Sequence, residues 1–413
     1  MPTRPLRRLL APVGQSGARE VLDAVNSALS GGPAVALIPH AAPALAGAVT
    51  AAVAPDEHLE DESVAVIVPT SGSTGTPRGV LHTAETLFAA AHAAQERLGG
   101  PARWVLALSP VHAGGLMAVV RSIADGRGLV VALRDDERFD VHYLAQLLHE
   151  ETTASRRPVR VSLVPTQVRD MASAGLLPVL ARCDAVLIGA AATPPDLMDL
   201  LVANHVKAYS TYGMTETAGG VVWNGEPLPG VEVDVDVETG VVSIGGPTVA
   251  LGYRGRPDLT AGQFSVRGSD RWFRTSDLGH LEEASTFSGR HLVVTGRVDD
   301  VVQVAGTSVS LHAVEAVLQL QSIISEAAVT SLPDDRLGTR VVAVVVPADP
   351  SVDRAELAAS LRTAVESTLG RPAAPRNVVV LEALPMLESG KIDRVTLAAT
   401  AAAALASTSH ATD

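Results

Sequence analysis

The feature that most constrains this chain is a repeated alternation between short apolar runs and stretches with helical spacing. Val64–Val68 is a β-branched run ending in a Ser/Thr/Gly loop, and a helical pattern follows from Ala84 to Leu98. Trp104–Leu108, Leu129–Leu133, Val159–Val164, Ala185–Ile188 and Val206–Ser210 read as further strands, separated by helices at Leu116–Ala124, Val141–His149 and Pro195–Ala203. Apolar strands spaced by helices of this length need a largely parallel sheet with helices on both faces. The texture changes at Val231. Val231–Val237 and Val241–Ile244 are joined by the hairpin signal Glu238-Thr239-Gly240, and short strands continue through Phe287 to Val294. Beyond Arg297 a small α+β unit follows, with strands at Val301–Val304, Ala327–Thr330, Val341–Val346 and Val378–Leu381 and helices at Leu311–Leu320 and Arg354–Leu369. The expected fold class is α/β: a large N-terminal domain over residues 1–297 with mostly parallel sheets flanked by helices plus a small β-subdomain, and a small α+β C-terminal domain over residues 298–413. The acidic run Pro55–Glu62 reads as hinge-like, with the alternation beginning after it.

Composition removes whole classes of function. Of 413 residues, 47% are apolar, enough for real cores and too many for a disordered chain. A net charge of −13 argues against a nucleic-acid partner and against a basic membrane-surface protein. One cysteine, Cys183, excludes an intrachain disulfide framework and a cysteine-rich metal site, and it reads as a small buried hydrophobe rather than a nucleophile. Leu9-Leu10-Ala11-Pro12 is too short for a signal-peptide core, and Pro39, His40 and Pro43 interrupt the apolar stretch Ala34–Val53. The expectation is a soluble, cytoplasmic protein without membrane insertion, for which a homo-oligomer stays open.

The most informative loop is Thr70-Ser71-Gly72-Ser73-Thr74-Gly75-Thr76-Pro77-Arg78-Gly79-Val80. Hydroxyls at Thr70, Ser71, Ser73 and Thr74, with Gly72 between them and Gly75 after, make an arc of donors. Its glycines let backbone N–H groups approach an anion, and the helix expected next would add its dipole. Pro77 stands where a Walker loop would need Gly-Lys-Ser, so this is a phosphate loop of another kind. Further on, Tyr212-Gly213-Met214-Thr215-Glu216-Thr217 follows an expected strand, at the end where open α/β sheets bind ligands. The Tyr212 ring can stack on a base, the Thr215 hydroxyl can hold a phosphate, and Glu216 can ligand Mg2+ through oxygen.

These segments resemble, in order, the motifs of the adenylate-forming superfamily of acyl- and aryl-CoA ligases, luciferases and peptide-synthetase adenylation domains. The likeness spans roughly Val64 to Arg394. It implies that Thr70 to Gly75 cradle the phosphates of ATP, that Gly189-Ala190-Ala191 and Tyr212-Gly213 border adenine, and that Thr215 meets the α-phosphate while Glu216 binds Mg2+. Arg274-Thr275-Ser276-Asp277-Leu278-Gly279 resembles the ribose motif, so Asp277 should accept the ribose hydroxyls. Gly296-Arg297-Val298-Asp299-Asp300 resembles the hinge motif, with Arg297 a second nucleotide contact and Asp299 the pivot of a mobile C-terminal domain. Val304, Gly306 and Thr307 parallel the loop lining the pantetheine tunnel of CoA. Glu388-Ser389-Gly390-Lys391-Ile392-Asp393-Arg394 resembles the last signature, whose lysine, here Lys391, contacts carboxylate and α-phosphate. Lys391 is one of only two lysines in a chain of 32 basic residues. Three positions depart from the family pattern: Arg78 replaces a usual lysine, Gln303 a lysine or asparagine, and Ser308 an arginine of some acetyl-CoA synthetases.

The acid is the least determined element. Ser109-Pro110-Val111-His112-Ala113-Gly114-Gly115-Leu116, followed by Arg121, and Ser162-Leu163-Val164-Pro165-Thr166-Gln167 resemble the acyl pocket of the o-succinylbenzoate–CoA ligases of menaquinone biosynthesis. In that group an arginine nine residues after the histidine anchors the second carboxylate, the spacing of His112 and Arg121. Arg121 facing solvent, and His112 as a core histidine rather than a pocket gate, stay open on sequence grounds. So do three other functions: a general acyl- or aryl-CoA ligase, an adenylation domain loading a carrier protein, and a nucleotide sensor that kept the fold.

Overall fold

The computed structural model describes residues 4–11, 14–40, 43–70, 77–135, 139–154, 157–283, 290–334, 336–387 and 392–409. The chain forms two compact units. The first comprises Met1–Asp234, Ser243–Thr275 and Glu282–Leu292, and the second Val235–Val242, Ser276–Leu281 and Val293–Asp413.

Alternation begins earlier than Val64. The first unit opens with β1 (Leu6–Ala11), α1 (Gly14–Leu29), β2 (Ala34–Pro39), α2 (Pro43–Val53), β3 (Val64–Thr70) and β4 (Arg78–Thr83). These strands make a sheet of order β1-β2-β3-β4, completed on the β4 side by the two-residue strand Gly252–Tyr253. β1, β2 and β3 run parallel, whereas β4 runs antiparallel to β3 with Thr70 opposite Arg78. The acidic run Pro55–Glu62 therefore lies inside the first unit and is not a hinge between domains. Arg254 fastens it: its guanidinium donates to the carbonyls of Val53, Ala54, Glu57 and His58 and pairs with Glu60. A buried guanidinium tolerates its setting only when its donors are met in this way.

The second sheet follows the expected rhythm. Its elements are α3 (Ala84–Arg97), β5 (Arg103–Leu106), α4 (Ala113–Asp125), β6 (Leu129–Val131), α5 (Val141–Ala154), β7 (Val159–Leu163), α6 (Pro165–Ser173), α7 (Leu177–Leu180), β8 (Ala185–Ile188), α8 (Pro195–Ala203), β9 (Ala208–Met214), β10 (Gly219–Trp223) and β11 (Glu226–Pro227). Its order is β11-β10-β9-β8-β7-β5-β6, with the strands from β9 to β6 parallel. Period-two alternation sorts the faces. Trp104, Leu106 and Leu187 point into one core with α1, α3 and α4, while Val105, Val161 and Ile188 enter a second core with α5, α6 and α8.

A third sheet combines β12 (Glu232–Val235), β13 (Val241–Gly245), β15 (Phe264–Arg267), β16 (Asp270–Glu283) and β17 (Arg290–Arg297), and the chain passes between the units within these strands. Between β13 and β15 lie β14 (Gly252–Tyr253), the strand that completes the first sheet, and α9 (Pro257–Gln263). This is the small β-subdomain. The second unit continues with the hairpin β18 (Val301–Val304) and β19 (Thr307–Ser310), α10 (Leu311–Gln319), β20 (Ile324–Asp334), β21 (Gly338–Pro347), α11 (Arg354–Leu369), β22 (Asn377–Val380) and α12 (Arg394–Ser409). On β21, Val341, Ala343 and Val345 pack under α10 and α11, while Val342 and Val344 face α12. That is the α+β unit the sequence implied. Among the described residues no helix is long and apolar enough to cross a membrane.

Candidate active site

The signature from Tyr212 to Thr217 occupies a strand end and a tight turn. β9 was expected to stop at Ser210, but antiparallel pairing with β10 extends it, so Tyr212 and Gly213 belong to the strand. Gly213 adopts φ +155°, and a Cβ there would lie 2.1 Å from the Gly219 carbonyl oxygen, so no other residue fits. Thr215–Thr217 then form one 3-10 turn, terminated by Ala218 at φ 56°. The Met214 amide donates to Thr217 Oγ1 at 3.0 Å, and that hydroxyl lies 2.9 Å from the Gly219 carbonyl. From β4, His82 Nε2 donates to the Thr215 carbonyl at 2.7 Å. Burial pushes His82 down to about 4, so the ring is neutral at physiological pH.

Glu216 is the chemically loaded member of this turn. It is 9% exposed. The Tyr253 hydroxyl donates to its Oε1 at 2.8 Å, and its backbone carbonyl accepts from the Ala250 amide at 2.9 Å. A carboxylate held this way suits a hard cation that takes oxygen ligands. No group of three or more His, Cys, Asp or Glu gathers among the described residues, so a cation at Glu216 would draw its other oxygens from phosphate and water, as Mg2+ does.

Gly189 sits just past β8, where a Cβ would come 2.5 Å from Thr211 Oγ1, and Ala190 is held at φ 68°. A left-handed non-glycine residue in a strand-end loop is a strained feature of the sort that functional loops retain. Ala191 is exposed. Thr70 ends β3 with its hydroxyl buried and, among the described residues, without a hydrogen-bond partner. Ser71, Gly72, Ser73, Thr74 and Gly75 lie outside the described residues. One expectation about this loop is corrected: β4 intervenes before α3, so the next element is a strand and its amides and hydroxyls would act without a helix dipole.

The residues expected at an acyl pocket lie on the α4 face of the second sheet. His112 is the half-buried N-cap of α4 and does not cap it through its side chain. Arg121, two turns on, is 5% exposed, which excludes the solvent-facing reading. Its guanidinium carbon stands 5.2 Å from the centroid of Trp104 and 5.9 Å from that of Trp223. Among the described residues it makes no hydrogen bond and no ion pair, and Nε is buried without a partner. Asp125 attracts it from a distance but spends Oδ2 on the Ala102 amide and Trp104 Nε1, both at 2.9 Å. Burial pushes Arg121 down to about 10, partly opposed by Asp125, so it stays charged at neutral pH. Ser162 on β7 faces the same side as Trp104, and its hydroxyl is buried and, among the described residues, without a partner. A buried cation and a buried hydroxyl with nothing to bind are costly unless an anion completes them. Cys183 is 1% exposed with its thiol pushed up to about 12 by burial, so it is not a nucleophile.

The second unit holds the other expected groups. Asp277 on β16 is buried and accepts from Arg297 Nη1 at 3.0 Å. The same guanidinium clamps Asp299 through two bonds, Nε to Oδ1 at 2.9 Å and Nη2 to Oδ2 at 3.0 Å. The ribose and hinge residues of the sequence thus form one ion-pair cluster. Val304 is buried at the end of β18, while Gly306 and Thr307 are exposed where the hairpin turns. The two residues that depart from the family pattern here are partners: Gln303 Nε2 donates to Ser308 Oγ at 2.7 Å across the hairpin. Lys391 lies outside the described residues. Just after it, Ile392 bridges to Met386, and Arg394 pairs with both carboxylate oxygens of Glu315 at 2.8 and 3.0 Å.

Sequence reasoning missed Tyr253, His82 and the two tryptophans around Arg121. Gly252-Tyr253-Arg254 carries no spacing that points to Glu216, and a histidine inside an apolar run looks like any core histidine.

The AMP-binding enzyme family matches residues 6–254, and its AMP-binding enzyme C-terminal domain matches residues 313–391. A probable 2-succinylbenzoate–CoA ligase of Mycobacterium tuberculosis is 38% identical over 398 residues, 95% of this chain and 97% of that protein. A 2-succinylbenzoate–CoA ligase of Listeria monocytogenes is 27% identical, covering 80% and 68%. Among solved structures, o-succinylbenzoate CoA synthetase (MenE) from Bacillus subtilis with the acyl-adenylate intermediate OSB-AMP aligns with a TM-score of 0.71 at 21% identity, over 96% of this chain and 88% of that one. The amide bond synthetase McbA from Marinactinospora thermotolerans aligns with a TM-score of 0.73 at 24% identity, over 96% and 89%.

Proposed function

The chain belongs to the AMP-binding enzyme family, and we propose that it is an acid–thiol ligase joining 2-succinylbenzoate to CoA at the expense of ATP, releasing AMP and pyrophosphate, a step of menaquinone biosynthesis. The kinship with 2-succinylbenzoate–CoA ligases supports the reaction. Arg121 carries the choice of acid: a monocarboxylate would leave this buried, unpaired guanidinium unmatched, whereas a dicarboxylate offers one carboxylate to react and one to pair.

In the first half-reaction one carboxylate of the acid attacks the α-phosphorus of ATP and expels pyrophosphate. Negative charge moves and concentrates, so preplaced donors and cations lower the barrier. We assign Thr70 to Gly75 and Thr215 to the phosphates, and Tyr212 with Gly189, Ala190 and Ala191 to the adenine. Asp277 and Arg297 take the ribose, and Lys391 bridges carboxylate and α-phosphate. Glu216 would hold Mg2+, which would supply positive charge against the phosphate oxygens. Neutral His82 fixes the backbone of Thr215 without adding charge. In the second half-reaction the CoA thiol attacks the acyl carbon and releases AMP. We assign Val304, Gly306 and Thr307 to that step, reached by a rotation about Asp299 that withdraws Lys391. We assign His112 and Ser162 to the acyl pocket. The cytoplasm is the proposed compartment.

The test is pyrophosphate release with ATP and Mg2+ across 2-succinylbenzoate, benzoate and octanoate, each with and without CoA. Sustained turnover only with 2-succinylbenzoate plus CoA is expected. Faster turnover with either monocarboxylate would overturn the assignment of the acid.

A further inference from the structure

We propose that Tyr253, outside every motif named above, is a positioning residue that holds the Glu216 carboxylate in the orientation in which it meets the metal; this rests on reading Glu216 as the metal ligand. The segment from Ala250 to Tyr253 grips Glu216 twice. The Ala250 amide donates to its backbone carbonyl at 2.9 Å, and the Tyr253 hydroxyl donates to Oε1 at 2.8 Å. Tyr253 is 3% exposed, and its ring is fixed edge-on against Phe264 at 5.3 Å between centroids.

The hydroxyl has a second neighbour, Gln263 Oε1, at 2.9 Å. One phenolic proton cannot serve two acceptors, and the carboxylate, as the charged one, takes it. Gln263 is satisfied from the other side, because Arg78 Nη1 donates to its Oε1 at 3.2 Å. The Arg78 guanidinium carbon also stands 5.2 Å from the centre of the Tyr253 ring. Arg78 Nη1 also donates to the Tyr253 hydroxyl oxygen at 3.5 Å, so a chain Arg78–Tyr253–Glu216 runs from the first residue of β4 to the metal carboxylate, with Gln263 held beside it by Arg78. Arg78, where the family usually has lysine, supplies a planar cation that stacks on the ring and hydrogen-bonds Gln263 together, which an ammonium point charge is not shaped to do.

Tyr253→Phe removes only the hydroxyl. The readout is Mn2+ binding, followed by electron paramagnetic resonance, to the full-length protein loaded with α,β-methylene-ATP, beside AMP binding measured without metal. Tyr253→Phe should weaken Mn2+ binding about ten- to a hundred-fold, the range for loss of an outer hydrogen-bond partner, with AMP affinity unchanged. Unchanged Mn2+ affinity overturns the proposal, as does equal weakening of Mn2+ and AMP, which would mean a general loss of structure. Glu216→Gln separates the two layers. If it weakens Mn2+ binding and Tyr253→Phe in that background costs nothing more, the coupling stands. If Glu216→Gln weakens Mn2+ binding while Tyr253→Phe alone does not, the positioning role falls and the metal reading survives. If Glu216→Gln leaves Mn2+ binding unaltered, both fall together.

Discussion

Replacing Arg121 with methionine isolates the charge, because the side chain keeps most of its length and apolar contact. Two effects oppose each other in the protein without substrate. The guanidinium falls from 12.5 to about 10, a penalty on its charged form of about 3 kcal/mol. Stacking on Trp104 and Trp223 returns about 1–2 kcal/mol for each ring. Arg121→Met should therefore leave the unfolding free energy within about 2 kcal/mol of the parent. Substrate changes the balance, because a carboxylate facing the guanidinium out of water contributes about 2–5 kcal/mol. That predicts a fall of about 30- to 5,000-fold in kcat/KM for 2-succinylbenzoate, concentrated in KM, and little change for benzoate. Steady-state pyrophosphate release with both acids at saturating ATP, with thermal unfolding in parallel, measures each term. An unchanged ratio of the two kcat/KM values would falsify the carboxylate-anchor argument. So would a stability loss above about 3 kcal/mol, the mark of a structural ion pair rather than one waiting for substrate.

Three further outcomes follow from other sites. Lys391→Ala should abolish adenylation, read as pyrophosphate release, yet leave thioester formation from supplied acyl-adenylate; loss of both would end the division of labour between half-reactions. Gly213→Ala puts a methyl group 2.1 Å from the Gly219 oxygen, and chemical denaturation should show a loss of about 3 kcal/mol or more together with weakened AMP binding. His82 is held neutral by burial, so the unfolded chain binds the extra proton between pH 6.5 and about 4. Stability should be intact above 6.5 and fall by up to about 3 kcal/mol as pH drops through that window. His82→Gln should remove this slope, and an unchanged slope in denaturation measured against pH would locate the titration elsewhere.

Much of the architecture was legible because β5, β7 and β8 are strongly apolar and α4 and α8 have clear helical spacing. The first four elements were not. β1 carries Arg7 and Arg8 on exposed positions, and α2 is a run of small apolar residues with no polar face to mark a period. β4 was hidden because Gly79 and His82 break its alternation, yet pairing with β3 buries it. The motif residues were readable since each is a local run. The burial of Arg121 was not, because it depends on Trp223, a hundred residues later. Nor was the tie between Tyr253 and Glu216, which only the sheet topology creates.

That topology also bears on how the chain emerges from the ribosome. The first sheet is not complete until Gly252–Tyr253 pairs with β4, and the crossover from Val53 to Glu60 has no clamp until Arg254 follows. A nascent chain that has reached only Val249 thus presents β4 as an open edge, with backbone donors and acceptors available to any neighbouring strand. The N-terminal sheet should stay sensitive to protease until residue 254 has cleared the exit tunnel. Fragments cut shortly before that point should aggregate, while those ending a few residues beyond it gain the strand and the clamp in the same step.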